Sequence, residues 1–131
     1  MDSHYPSCLG IDLGMVRCGL AVNRQWLAVP LEIVLREKLM ERIQRLVHEL
    51  QLEVIVLGKA DGLMEKEAES LQTELQQLYP AVRIVLEDET GSSLQAESLG
   101  RFAHVPMKKR RMPADHHAAA LILQGWLDAR K

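Results

Sequence analysis

Aromatic side chains are scarce in this chain: two Trp, two Tyr and one Phe among 131 residues. That is too few for a row of base-stacking platforms along a nucleic-acid groove, so Trp26 and Trp126 are expected in the core or against a partner. Cysteine is scarcer still, with Cys8 and Cys18 flanking a tight turn near Met15-Val16. Hairpin pairing sets Cys18 opposite Leu13, five residues from Cys8. At ~3.4 Å per residue the two lie roughly 17 Å apart, beyond the ~7 Å Cα limit for a disulfide. Two free thiols suit a reducing compartment. No run approaches the roughly 18 apolar residues of a membrane span. The start Met-Asp-Ser-His-Tyr-Pro has neither a basic nor an apolar region, so a secretory leader is not expected and the cytoplasm is the expected location. Nor is there an excess of one charge: the formal net charge of -2 excludes a basic body that coats nucleic acid.

What is present is an ordinary globular composition, 47% hydrophobic and 26% charged, at a length that suits one domain spanning 1–131. Residues 7–14 and 17–24 read as two strands of an antiparallel hairpin. A third covers Leu27 to Leu35, where Pro30 argues for a sheet edge because a central strand needs the missing N–H. From Arg36 the period changes, and Leu39, Ile43, Leu46, Val47 and Leu50 predict an amphipathic helix to about Gln51. Glu53 to Gly58 is a continuous apolar run of the kind buried on both faces in a parallel arrangement. A second helix carries Ala68, Leu71, Leu75 and Leu78 and stops at Pro80. A fifth strand, Val82 to Leu86, runs into Glu87-Asp88-Glu89. Ser92 and Gln95 resemble a capping box for a helix to about Phe102. Residues 103–113 read as a basic loop, and a last helix begins near Pro113, packing through Ala118, Leu121, Ile122 and Trp126. The predicted sheet is five-stranded and mixed: a three-stranded antiparallel meander plus two parallel strands, flanked by helices.

Ligands in such sheets gather near the C-terminal strand ends. Asp12 lies in the first strand, Asp88 and Glu89 past the fifth, and Asp115 in the expected first turn of the last helix. Carboxylates brought together from distant segments repel unless a cation sits between them, and oxygen-only ligands select Mg²⁺ or Mn²⁺. Two such ions about 4 Å apart activate water and stabilise the leaving oxygen of a phosphodiester. Taken singly, Asp88 and Glu89 are better explained as a strand end, and Asp115 as a charge favourable at a helix N-terminus. Asp12 is different, because a carboxylate inside an apolar strand is costly unless paired or metal-bound. An Asp followed by a Gly turn and a second strand also opens sugar-kinase, Hsp70-like and actin-like ATPases. Those need two lobes, which 131 residues cannot build.

Several short motifs together resemble the YqgF family of the RNase H-like superfamily, described as Holliday-junction resolvases or pre-16S rRNA nucleases. They are Gly10-Ile11-Asp12-Leu13-Gly14 with Arg17 and Gly19-Leu20-Ala21-Val22, then Pro30-Leu31-Glu32, Asp88-Glu89, and Asp115 with Ala118-Ala119 and Ile122-Leu123-Gln124. The resemblance implies an RNase H-like fold, metal-dependent phosphodiester hydrolysis, and metal-binding catalytic roles for Asp12, Glu89 and Asp115, with Asp88 as the reserve ligand. Three departures bear on substrate grip: Met15-Val16 where the family usually has Thr and a basic residue, Thr90 where it has Arg, and a loop 58–62 shorter than usual and lacking Gly-x-Pro.

The basic run Lys108-Lys109-Arg110-Arg111 just before Asp115 is expected to hold backbone phosphates, with Arg17 adding a further contact. His116 and His117 are expected in packing or at the surface. The expected activity is a Mg²⁺- or Mn²⁺-dependent endonuclease acting on RNA or branched DNA as a monomer or homodimer. The competing expectations are a nucleic-acid- or ribosome-associated binding protein of the same fold, and the single-lobe relic of a phosphotransferase.

Overall fold

The computed structural model describes residues 5–59, 62–88 and 114–130. Five strands, β1 (Cys8–Asp12), β2 (Arg17–Arg24), β3 (Leu27–Leu35), β4 (Val54–Lys59) and β5 (Arg83–Asp88), form one sheet in the order β3-β2-β1-β4-β5. The β1/β2 and β2/β3 pairs are antiparallel, and the β1/β4 and β4/β5 pairs parallel. This is the mixed sheet that the pattern predicts, in the RNase H-like arrangement that the family resemblance implies. Pro30 sits on the edge strand, where its missing N–H costs nothing, beside a register shift against β2 at Leu20/Ala21.

Helices α1 (Leu39–Leu50), α2 (Gly62–Leu78) and α3 (His116–Ala129) cover the sheet. Strand alternation divides the core in two. On one face Leu9, Ile11, Leu20, Ile55 and Leu57 pack with Leu39, Ile43 and Leu46 of α1 and Ala68, Leu71 and Leu75 of α2. On the other, Cys8, Ala21, Val54 and Val56 meet Ala119, Ile122, Leu123, Trp126 and Leu127 of α3. Because β1 is covered on both sides, its residues 8–11 are all buried. No helix among the described residues is long and apolar enough to cross a membrane.

Several sequence expectations shift. Residues 36–38 form a short 3-10 turn ahead of α1, and β5 extends to Asp88. Leu78 and Leu121 are exposed rather than packed. In α3 the buried residues 119, 122, 123, 126 and 127 follow i, i+3, i+4, i+7, i+8 spacing, which turns Leu121 outward. The last helix starts at His116, not near Pro113, because Asp115 adopts an extended conformation and caps it. The expected helix 92–102 and basic loop 103–113 lie outside the described residues.

Both cysteines are free and buried, on opposite faces of the sheet. Burial pushes the Cys8 thiol up to about 12 and raises that of Cys18 as well. Above the ordinary value of 9.0 the unfolded chain loses the Cys8 proton while the folded chain keeps it. The unfolded state then binds fewer protons, so stability falls as pH rises from about 9 to about 12. The limiting slope is about 1.4 kcal/mol per pH unit for one such group. Urea titrations between pH 8 and 11 should show a shallower decline in Cys8→Ala than in the wild type; equal slopes would contradict the assignment.

Candidate nuclease site

Asp12 ends the central strand, and the register places a glycine on each side of it. Its partner on β2 is Gly19. On β4, one position beyond the Ile11–Leu57 pair, stands Gly58. A Cβ on Gly58 would meet Ile122 Cδ1 of α3 at 2.3 Å, and one on Gly19 would sit 1.8 Å from the Asp115 carbonyl oxygen. These glycines let the start of α3 descend to van der Waals distance of the backbone beside Asp12.

The helix brings Asp115 with it. The Asp115 amide N–H donates to Asp12 Oδ2 at 3.2 Å, while Asp115 Oδ1 accepts from the Ala118 N–H at 2.7 Å. One carboxylate thus caps α3, and the other takes a hydrogen bond from the chain entering that helix, where the dipole favours negative charge. This amide-to-carboxylate bond joins Asp12 and Asp115, 103 residues apart in sequence. The sequence suggested both residues but not this contact, because helix-cap geometry is invisible until the helix start is fixed.

Glu87 joins them from β5, in register with Gly58. With alternate residues facing one side of a sheet, Asp12, Gly58 and Glu87 form a single cross-strand row on the α3 side. Asp88 pairs with Lys59, one position out of that row. Glu87 was passed over in sequence as part of an acidic strand end, and only the parallel register reveals its place. Arg17, exposed at the start of β2, pairs with Leu35 and lies two residues from Gly19, at the same sheet end as Asp12. Met15 and Val16, 71% and 67% exposed, form the adjacent turn. Glu89 and Lys108 to Arg111 lie outside the described residues.

His116 is half-buried, with its Nδ1 buried and without a hydrogen-bond partner among the described residues, and its ring centroid lies 4.4 Å from that of the exposed His117. Trp126 belongs to the core and Trp26 is half-exposed, its carbonyl accepting from Gln124 Nε2.

The oxygen-only chemistry of Asp12 and Asp115 fits a hard divalent ion. Among the described residues no group of three His, Cys, Asp or Glu side chains could hold one.

Residues 6–129 match the profile of the RuvX family, described as Holliday junction resolvase. The chain belongs to the RuvX family. Its curated relatives include a protein of Trichormus variabilis (strain ATCC 29413 / PCC 7937), 35% identical over 97% of this chain and 91% of that protein. One from Chlamydia trachomatis serovar A is 36% identical over 94% and 92%, and one from Mycobacterium leprae (strain Br4923) 37% identical over 98% and 76%. All three carry the provisional name pre-16S rRNA nuclease. Among solved structures, a chain of Archaeoglobus fulgidus Pelota aligns with TM-score 0.49 and 14% identity over 98% of this chain and 36% of that one, a likeness too slight to bear on function.

Proposed function

We propose that the chain is a one-domain, metal-dependent endonuclease of the cytoplasm that hydrolyses phosphodiester bonds in structured nucleic acid, either precursor 16S rRNA or a Holliday junction. The observation that carries this is the contact between the Asp115 amide and the Asp12 carboxylate, which joins two acids from opposite ends of the chain at the C-terminal end of the central strand. Asp12, Asp115 and Glu89 are the proposed ligands of Mg²⁺ or Mn²⁺, with Asp88 in reserve. When bound, the ion supplies charge neutralisation and an activated water. The protein's own part is to hold Asp12 in a glycine-lined gap, to fix Asp115 by its capping bond, and to present Arg17 and Lys108, Lys109, Arg110 and Arg111 to backbone phosphates. A monomer suffices for RNA trimming, and a homodimer suits symmetric cutting of a junction.

The test is cleavage of matched junction, single-stranded and precursor-RNA substrates by wild type and Asp12→Asn with Mg²⁺ or Mn²⁺. Metal-dependent products from the wild type alone support the proposal; equal products from both proteins point to a contaminant. The second reading, a binding protein of the same fold, draws on the exposed Met15-Val16 turn, which replaces the Thr and basic residue usual in the family. It predicts retention of nucleic acid without cleavage under any metal.

Glu87 adds negative charge one glycine away from Asp12. Glu87→Gln is expected to lower metal-dependent cleavage about 10-fold, the scale of an outer-shell ligand effect, and less than Asp12→Asn does. Wild-type kinetics in this variant would reduce Glu87 to a strand-end residue.

A further inference from the structure

We infer that Arg36 is a positioning residue for the Asp12–Asp115 pair, a role that rests on the nuclease reading for its kinetic consequence but not for its geometry. Arg36 follows β3 and binds the turn after Asp12 twice. Its backbone N–H donates to the Val16 carbonyl at 2.8 Å, and its Nη1 to the Gly14 carbonyl at 3.0 Å. Its Nη2 reaches Glu67 Oε1 of α2 at 2.9 Å. One side chain therefore ties together the β1–β2 turn, the end of β3 and the second helix.

The turn that it holds is in contact with the other half of the site. A Cβ on Gly14 would fall 3.0 Å from Ala114 Cβ and 2.3 Å from the Arg17 carbonyl oxygen, so the turn lies directly against the residue before Asp115. Asp12 is two residues from Gly14 on one side of this contact, and Asp115 one residue from Ala114 on the other. Their hydrogen bond thus spans segments whose spacing the Gly14 carbonyl helps to set. Leu13 and Cys18 bury the two ends of the turn, but Met15 and Val16 between them are largely exposed, and the guanidinium adds the restraint at Gly14. Cys18 Sγ, 3.9 Å from the same carbonyl, is a weak donor and a poor substitute. The Glu67 contact is solvent-screened, with the two side chains 29% and 47% exposed, so the Gly14 bond is the part that matters.

The experiment compares Arg36→Ala, Arg36→Lys and Glu67→Gln with the wild type, using full chains, Mn²⁺ and whichever nucleic acid the wild type cleaves. Arg36→Ala is expected to lower kcat about 10- to 100-fold, the scale of a small misplacement of catalytic groups, with KM within about twofold and cooperative unfolding retained. Arg36→Lys, with one donor able to reach Gly14, recovers part of kcat, and Glu67→Gln keeps wild-type kcat. Independently of activity, amide exchange followed by NMR should quicken at Asp115 in Arg36→Ala while Ile11 and Leu57 in the core keep their protection. Unchanged kcat together with unchanged Asp115 exchange overturns the inference, as does an equal rise in exchange across all core amides, which marks general destabilisation. If the wild type cleaves nothing, the nuclease reading fails, and Asp115 exchange alone decides the role of Arg36: faster exchange sustains it and wild-type exchange overturns it.

Discussion

Asp12→Asn should reduce metal-dependent cleavage at least about 10³-fold, equivalent to about 4 kcal/mol at 1.36 kcal/mol per tenfold, while leaving the fold intact. The substitution removes a charge and keeps the side chain's shape. The Asp115 amide donates to Asp12 Oδ2, and an asparagine carbonyl oxygen in that position still accepts it. Nor does this bond hold α3 to the sheet. That attachment is apolar, through Ile122, Leu123, Trp126 and Leu127, at about 1.5–3 kcal/mol per buried large side chain. A single hydrogen bond to a charged group contributes about 1.5–3 kcal/mol, less than the four buried side chains together, so packing decides where the helix sits.

Asp12 accepts from the Asp115 amide and shares a row with Glu87, and the variant keeps an acceptor at that position, so in EDTA the two proteins should melt within a few degrees of each other. Adding Mn²⁺ separates the two proteins. A ligand that binds only the folded state stabilises by about 2.7 kcal/mol at one hundred times its Kd. The wild type should gain thermal stability by that mechanism and Asp12→Asn should not. An identical Mn²⁺ response in both would remove Asp12 from the metal site, whatever the cleavage assay returned.

The reach of sequence alone differed between the strands and the site. Strand directions and the edge place of β3 were readable because period, Pro30 and the two apolar runs each have one cheap arrangement: Pro30 belongs at an edge, and Glu53 to Gly58 needs cover on both faces; the full order β3-β2-β1-β4-β5 emerges only from the long-range pairings. Asp12 stood out as a carboxylate closing an apolar run, but the structure places it at the strand's end and half-buried, so the burial cost that singled it out is not incurred. The start of the last helix was misplaced because two local signals compete within three residues. Pro113 favours a first helical position, whereas Asp115 favours the cap, and the side-chain bond to the Ala118 N–H decides for Asp115. Glu87 escaped notice because its relation to Asp12 depends on the pairing of β4 with β5, a long-range register that no local pattern encodes. Arg36 escaped for the same reason: its partners are carbonyl groups, and backbone acceptors have no sequence signature.

Gly19→Ala should be the most damaging single-methyl substitution in the sheet. The added carbon would sit 1.8 Å from the Asp115 carbonyl oxygen, 2.0 Å from its carbonyl carbon and 2.6 Å from the His116 nitrogen. All three are backbone atoms, so no rotamer change relieves the clash and the start of α3 has to move away from the sheet. Overpacking usually costs about 1–3 kcal/mol, and a clash confined to backbone belongs at or above the upper end, a fall of roughly 10 °C in Tm for a chain of this size. Gly58→Ala is the natural control, because its new carbon meets Ile122 Cδ1 at 2.3 Å, the far end of a side chain that can rotate, and about 1 kcal/mol is expected there. Any Gly19→Ala molecules that do fold carry α3 displaced from β2, which breaks the Asp115 amide bond to Asp12 and separates the two carboxylates. Cleavage should therefore be lost even at temperatures where the variant is fully folded, with both acids present. Equal melting temperatures for the two alanine variants, or a folded Gly19→Ala protein with wild-type turnover, would show that the close approach of helix and strand is not what assembles the site.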